Sequence, residues 1–356
     1  MKTDSREFFE KYINNASPTG YETSGQRIWL EYITPYIDKY ISDVYGTVAG
    51  VINPEAQYKV VIEAHADEIS WYVNYISDSG NIHVIRNGYT DNQIAPSKRV
   101  NIHTKKGIVK GIFGWPSIQI REKKGDQEPA LKNLIIDCGC NSKKEVESLG
   151  IQVGSVVTYE DQLMMLNKKY FVGRALDNRA GGFIIAEVAR RLKENKKKTG
   201  FGIYIVNSVQ EETGLRGAEM IAKRIKPDIA IITDVCHDTQ SPAYNKTVVG
   251  DIYCGKGPVL SYGPAVQNNL LEMIIKTAKN KKIPYQVKAV SEHTNTDTES
   301  FAYSNEGVAS ALISLPLKYM HTTVETAHID DIDNLIKLMY EFLLQLKPNH
   351  DFRYIK

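Results

Sequence analysis

Cysteine is scarce in this chain. The 356 residues include four, Cys138, Cys140, Cys236 and Cys254. Only a glycine separates Cys138 from Cys140, which is too tight for an ordinary zinc knuckle, and no second pair stands nearby. This usage excludes a disulfide-stapled secreted scaffold and points to free thiols in a cytoplasmic protein. Long hydrophobic runs are missing too. No stretch approaches the ~18 consecutive apolar residues that a membrane span needs. Residues 1–7 lead into an amphipathic helical pattern, not into the apolar core of a secretory signal. Nor does one sign of charge dominate. With 44 basic and 42 acidic residues the net charge is +2, which exerts no general pull on nucleic acid or an anionic membrane. The single charge run, residues 193–198, reads as the solvated end of a helix.

What is present is an ordinary globular composition, 42% apolar and 24% charged. That excludes a disordered, collagen-like or coiled-coil chain. The length exceeds what one core usually fills, so a large domain with a smaller one is expected. Helix and strand patterns alternate through most of the chain. Ser5 is a candidate N-cap for a helix carrying Phe8, Phe9, Tyr12 and Ile13, and a second helix carries Ile28, Trp29, Tyr32 and Ile33. Apolar runs at 59–64, 202–209, 229–233 and 309–315 have the density of strands buried on both faces. Between them, Ile184, Ile185, Val188 and Leu192 share a helix face, as do Leu270, Leu271, Ile274 and Ala278. The stripe from Ile332 to Leu346 does the same for a last helix. This alternation predicts an α/β fold whose sheet has a mostly parallel centre and helices on its flanks. Residues 73–166 break the pattern with short alternating segments and turns, which predicts a small inserted β-barrel-like domain. The α/β domain is then discontinuous, 1–72 and 167–356.

Acidic and histidine residues collect where the strands end. His65 and Asp67 follow the run ending at Ala64, Glu211 and Glu212 follow the run ending near Val209, Asp234 follows Thr233, and His321 lies shortly beyond Leu315. Ligands of open α/β sheets gather at the carboxyl ends of the strands. Four strands therefore aim His, Asp and Glu at one edge, a donor set suited to zinc, cobalt or manganese. Adjacent carboxylates such as Glu211 and Glu212 are costly without a positive partner. A metal would satisfy one, and the other could take a proton from metal-bound water. Asp177 precedes a helix, where it could act as ligand or as N-cap. Asp297 is read as a helix cap and stays outside this set.

Taken together, these motifs resemble a known family. The residues are His65-Ala66-Asp67-Glu68-Ile69, Ala175-Leu176-Asp177-Asn178-Arg179-Ala180-Gly181, Val209-Gln210-Glu211-Glu212-Thr213-Gly214-Leu215-Arg216-Gly217-Ala218, Asp234 and His321-Thr322-Thr323-Val324-Glu325. As an ordered set they resemble the glutamyl aminopeptidase and tetrahedral aminopeptidase family of co-catalytic metallopeptidases, some of whose members carry cellulase M or endoglucanase labels. The resemblance implies two divalent ions per subunit, with Asp177 shared between them. His65 and Asp234 would complete one ion's ligands, and Glu212 and His321 the other's. Glu211 would be the general base, and Asp67 would orient His65. It further implies removal of N-terminal residues from peptides, a dimerisation role for the insert, and a homo-oligomer built from dimers, up to a dodecamer. The rival readings are a glycoside hydrolase with paired carboxylates, a non-catalytic oligomeric scaffold of the same fold, and a related deacetylase or carboxypeptidase.

Overall fold

A computed structural model describes residues 1–119, 121 and 129–355. Its main sheet is built around four parallel strands, in the order Gly202–Ser208, Lys59–His65, Ile229–His237 and Ala309–Lys318. Antiparallel strands extend it on both sides. Lys39–Ser42 and Val48–Ile52 lie beyond Gly202–Ser208, while Glu325–His328, Tyr170–Gly173 and Met164–Leu166 follow Ala309–Lys318. Val259–Tyr262 pairs with Ala309–Lys318 and carries a parallel partner, Gln286–Ala289. The central strands are buried almost along their whole length because both faces are covered.

On one face the helix Leu176–Glu194 lies across the sheet, with Ile329–Gln345 and the first two helices, Thr3–Asn14 and Thr23–Ile33, packed around it. The approach is close at Gly181, where an added Cβ would come within 2.9 Å of the Ala64 Cβ. Ala64 therefore faces that helix, and its neighbours Glu63 and His65 face the opposite side. On that opposite side the sheet meets the short helix Thr298–Ala302, which in turn packs on Arg216–Ile225. The functional residues gather there.

Six antiparallel strands close a separate barrel, in the order Ser70–Ile76, Ile82–Asn87, Ile135–Asp137, Gly107–Gly114, Arg99–Thr104 and Val156–Tyr159. Its interior holds Trp71, Val73, Ile82, Val100, Ile102, Phe113, Ile136 and Val157. The ring of Trp71 meets that of Phe113 at 5.5 Å, nearly edge-on. The first barrel strand begins at Ser70, ahead of the expected boundary at 73, and Met164–Leu166 pairs into the main sheet. Only residues 66–69 separate His65 from the barrel, so the insert hangs from the rim of the site.

Two local expectations fail. Ser5 is not an N-cap. The helix already starts at Thr3, and the buried Ser5 hydroxyl donates to Glu187 Oε1 at 3.1 Å. Asp234 does not follow its strand but lies within it. Pairing with Ala309–Lys318 continues through Asp234↔Ser314 to His237↔Leu317, because the partner strand is long enough to sustain it. All four cysteines are free thiols. Among the described residues, no helix is long and apolar enough to cross a membrane.

Candidate metal centre

The predicted side chains reach the site from several different elements, with only Glu211 and Glu212 sharing one. His65 ends its strand, and Asp67 sits in the link to the barrel. Asp177 lies at the start of the helix Leu176–Glu194, where its φ of −78° and ψ of 111° interrupt the helical geometry. Glu211 and Glu212 occupy the turn between Gly202–Ser208 and Arg216–Ile225. That turn is tight: an added Cβ at Gly217 would lie 2.4 Å from the Val209 carbonyl oxygen. His321 follows Ala309–Lys318. Ala175, Gln210, Leu215 and His321 all adopt left-handed φ near 60° without being glycine. Such residues cost roughly 1–3 kcal/mol each and collect where geometry is dictated by a site.

Asp177 is the hub. Its Oδ1 lies 3.3 Å from His65 Nε2, and its Oδ2 lies 3.3 Å from His321 Nε2. His65 Nε2 is also 3.8 Å from both Glu211 Oε2 and Asp234 Oδ1, and His321 Nε2 is 3.5 Å from Glu212 Oε1. The other nitrogen of His65, Nδ1, faces Asp67 Oδ1 at 3.4 Å. All seven residues of the predicted set therefore meet in one place.

No lysine or arginine pairs with Asp177, Glu211, Glu212 or Asp234 among the described residues; their ionic neighbours are the two imidazoles. Burial pushes the Asp234 carboxyl up to about 8. Burial, reinforced by the Asp177 charge, does the same to Glu212, and burial holds Glu211 well above the usual carboxylate range. Asp177 goes the other way. Burial opposes its charge, but hydrogen bonds from His321 and His65 hold it below the ordinary value. Burial also opposes a charged His321, yet the bond to Asp177 outweighs that and pushes the imidazole up to about 10. The cluster thus drives three carboxylates and both histidines towards protonation at once. Divalent cations relieve both demands, since carboxylates and imidazoles bind them by giving up those protons. His65, Asp177 and Glu212, and again His65, Glu211 and Asp234, bring one donor atom each within 4.8 Å of one another.

Three supporting groups complete the geometry. Asp67 accepts the N–H of Glu211 at 3.0 Å, the N–H of Glu212 at 3.2 Å and the Thr19 hydroxyl at 2.8 Å, so it fixes the acidic turn as well as facing His65. Glu325, buried, accepts the N–H of Asp177 at 3.0 Å and that of His321 at 2.9 Å. Behind His65, Ser208 Oγ lies 2.6 Å from Glu63 Oε1 and 2.8 Å from Asp297 Oδ2. Burial raises both of those carboxyls, and the two interact directly. Asp297 therefore does not cap its helix with its side chain, as the sequence pattern suggested, but closes a buried acid pair under the site.

A family model described as M42 glutamyl aminopeptidase matches residues 46–338. The chain belongs to the M42 glutamyl aminopeptidase family. It is an aminopeptidase, a hydrolase of peptide bonds, and M42 peptidases are metal-dependent. A lysyl aminopeptidase of Pyrococcus furiosus is 33% identical over 345 residues, 96% of this chain and 97% of the relative. A TET aminopeptidase from the marine sediment archaeon Thaumarchaeota archaeon SCGC AB-539-E09 superposes with a TM-score of 0.91 at 28% identity, covering 97% of each chain. The TET1 peptidase of Pyrococcus horikoshii, which can assemble into a tetrahedron or a large octahedral shell, gives 0.85 at 26% identity, covering 96% of this chain and 100% of that one. This M42 membership assigns peptide hydrolysis in place of the glycosidase reading. Within the M42 site, Glu325 was visible in the motif His321-Thr322-Thr323-Val324-Glu325 but carried no signal of its own. Glu63 looked like an ordinary strand residue, and nothing local announced its pairing with a residue more than two hundred positions away.

Proposed function

We propose that this M42 aminopeptidase releases N-terminal residues from peptides with two divalent ions per subunit. His65 and Asp234 would hold one ion, Glu212 and His321 the other, and Asp177 would be shared. Zinc, cobalt and manganese all suit such nitrogen and oxygen donors. The observation that carries this reading is Asp177, whose two carboxylate oxygens each face a different histidine. When bound, the ions would polarise the scissile carbonyl and make water acidic enough to ionise near neutral pH.

The chain's own residues do the rest. Glu211, one wall of the cleft, accepts a proton from the attacking water as the oxygen bonds to the carbonyl carbon. The C–N bond then breaks, and Glu211 returns that proton to the leaving amine. Asp67 Oδ1 faces His65 Nδ1 at 3.4 Å, which favours the ring proton on that nitrogen and leaves the Nε2 lone pair turned towards Asp177 and the site. The acid cluster also accommodates the charged α-amine of a free N-terminus, which restricts cleavage to the first residue. We place the active form in the cytoplasm as a homo-oligomer built from dimers, up to a dodecamer. The four free thiols and the tetrahedral assembly of the TET1 relative support this, as do Ile85, Ile108 and Ile112 exposed on the barrel. Metal analysis of purified protein, combined with hydrolysis of aminoacyl anilides, tests the reading. Two ions per chain and loss of rate on chelation are expected; full activity in EDTA with no bound metal would refute it.

A further inference from the structure

The two ion sites are not anchored alike. His65 and Asp234 belong to central strands of the main sheet, where His65 pairs with Ser208 and Asp234 with Ser314. Glu212 and His321 lie outside any strand. Side chains hold their backbones instead, the Glu212 N–H donating to Asp67 and the His321 N–H to Glu325. His321 also keeps a left-handed φ of 60°, a conformation that persists only where the surroundings enforce it.

The barrel supplies contacts at both of these less anchored ligands. Its loop 88–98 joins Ile82–Asn87 to Arg99–Thr104. At the start of the loop Gly88, with a φ of 81°, backs onto Glu212: an added Cβ would lie 3.3 Å from the Glu212 Cβ and 2.9 Å from Ile69 Cγ2. Asn87, buried beside it, donates to the Thr19 carbonyl at 2.9 Å and to Ser70 Oγ at 2.8 Å, which fixes this end. At the other end Lys98 is pinned by its backbone, its N–H donating to Ala95 and its carbonyl accepting from Phe113. Its half-buried ammonium leaves the barrel and donates to Asp161 Oδ1 at 3.1 Å and to the hydroxyl of Thr323. Thr323 is buried and stands two residues from His321. Tyr159, from the strand Val156–Tyr159, lines a small cavity together with Glu212, His321 and Glu325.

Building on the two-ion reading, we propose that the barrel is the back wall of the second ion's site, with Lys98 as a positioning residue that acts on His321 through Thr323. Binding at Glu212 and His321 then depends on the barrel, whereas binding at His65 and Asp234 depends on the sheet. Groups that orient a metal ligand from behind typically govern affinity by about 10- to 100-fold.

The test is calorimetric titration of metal-free protein with zinc, alongside hydrolysis of leucyl-p-nitroanilide over the same range of zinc. Wild type should bind two ions. Lys98→Met keeps the reach of the side chain but loses its charge and its donor. It should weaken one ion by about 10- to 100-fold and leave the other unchanged, and the activity lost at limiting zinc should return in excess zinc. Thr323→Val should act similarly, and the double variant should lose no more than either single one, because both remove the same contact. Lys98→Arg should restore most of the affinity. Lys110→Met, which removes a barrel lysine paired with Glu160, should bind both ions as wild type does. In crystals of Lys98→Met at limiting zinc, the anomalous peak beside His65 and Asp234 should remain and the one beside Glu212 and His321 should fade. Equal weakening of both ions, unchanged affinity in Lys98→Met and Thr323→Val, or losses that add in the double variant would each overturn the proposal while leaving the two-ion reading intact. A wild type that binds fewer than two ions would instead overturn that reading and this inference together.

Discussion

Asp67 and Glu68 are neighbours in the chain, yet they belong to two buried acidic regions built on opposite plans. Glu68 turns to Arg174 and Arg179, and its Oε1 also accepts the Ser17 N–H at 2.7 Å. Burial works against its charge, but the two guanidinium groups outweigh it and hold the carboxyl below its ordinary value. Arg179 is itself fully buried, and its guanidinium donates to the backbone carbonyls of Tyr12 and Ile13. This network ties the N-terminal helix to the link that carries the barrel. Asp67 turns the other way, to the cluster around Asp177, where among the described residues no arginine or lysine pairs with the carboxylates. A carboxylate that serves the fold is given a built-in cation. Carboxylates that serve chemistry are left to acquire theirs from solution, and burial keeps them dependent on it.

Removing a group from each region should therefore have different consequences. The largest effect belongs to Glu211→Gln, which keeps the donor atoms around His65 and Asp177 but removes the proton acceptor. Its kcat should fall by about 10²–10⁴-fold with metal content unchanged, measured on aminoacyl anilides alongside metal analysis. Wild-type turnover in that variant would remove Glu211 from its role. Glu68→Ala should cost about 3–5 kcal/mol of stability in denaturant unfolding, because it strands two arginines. Metal supply should not rescue it.

Glu212→Gln should show the reverse. In metal-free protein at pH 9 it should be as stable as wild type or more so, since it removes a buried carboxyl that ionises only with difficulty. With metal present it should lose the stabilisation that the ion confers on wild type.

The two regions should also fail at opposite ends of the pH scale. The folded pKa of about 8 at Glu212 and Asp234 lies above the ordinary carboxylate value near 4. Their contribution to stability is therefore complete below about pH 4 and is lost as pH rises through about 8. His321 adds to the same trend, its contribution fading as pH climbs towards about 10. Glu68 has a lowered pKa, so its contribution is present above its unfolded value and is lost as pH falls through the folded one. Melting temperatures in EDTA should thus decline from pH 6 to pH 9, and added metal should flatten that decline. The smallest effect expected is at Thr19→Val, which removes one donor from Asp67 and should cost about 1 kcal/mol, seen as a several-fold drop in kcat.

How much of this was legible beforehand follows from the range of the interactions. His65, Glu211, Glu212 and His321 announce themselves because buried strands are dense in Val and Ile and the polar residue at their exit stands out. Asp234 stands out for the same reason, although its strand runs on to His237. The barrel showed in the switch from helical spacing to short alternating segments. Other features depend on strand order, which spacing does not encode. Lys98 meets Thr323 only because the barrel, once closed, stands beside the segment that carries His321. Glu68 meets Arg174 across more than a hundred positions, and Glu63 meets Asp297 across more than two hundred. Ser5 and Asp297 depart from their local pattern for one reason: a residue that suits a helix cap is claimed by a buried partner instead.

The most direct measurement is an anomalous difference map from crystals grown with zinc or cobalt. Two peaks should flank Asp177, one beside His65 and Asp234 and the other beside His321 and Glu212. Density confined to other parts of the molecule, with Asp177 bridged only by its two histidines, would contradict the account.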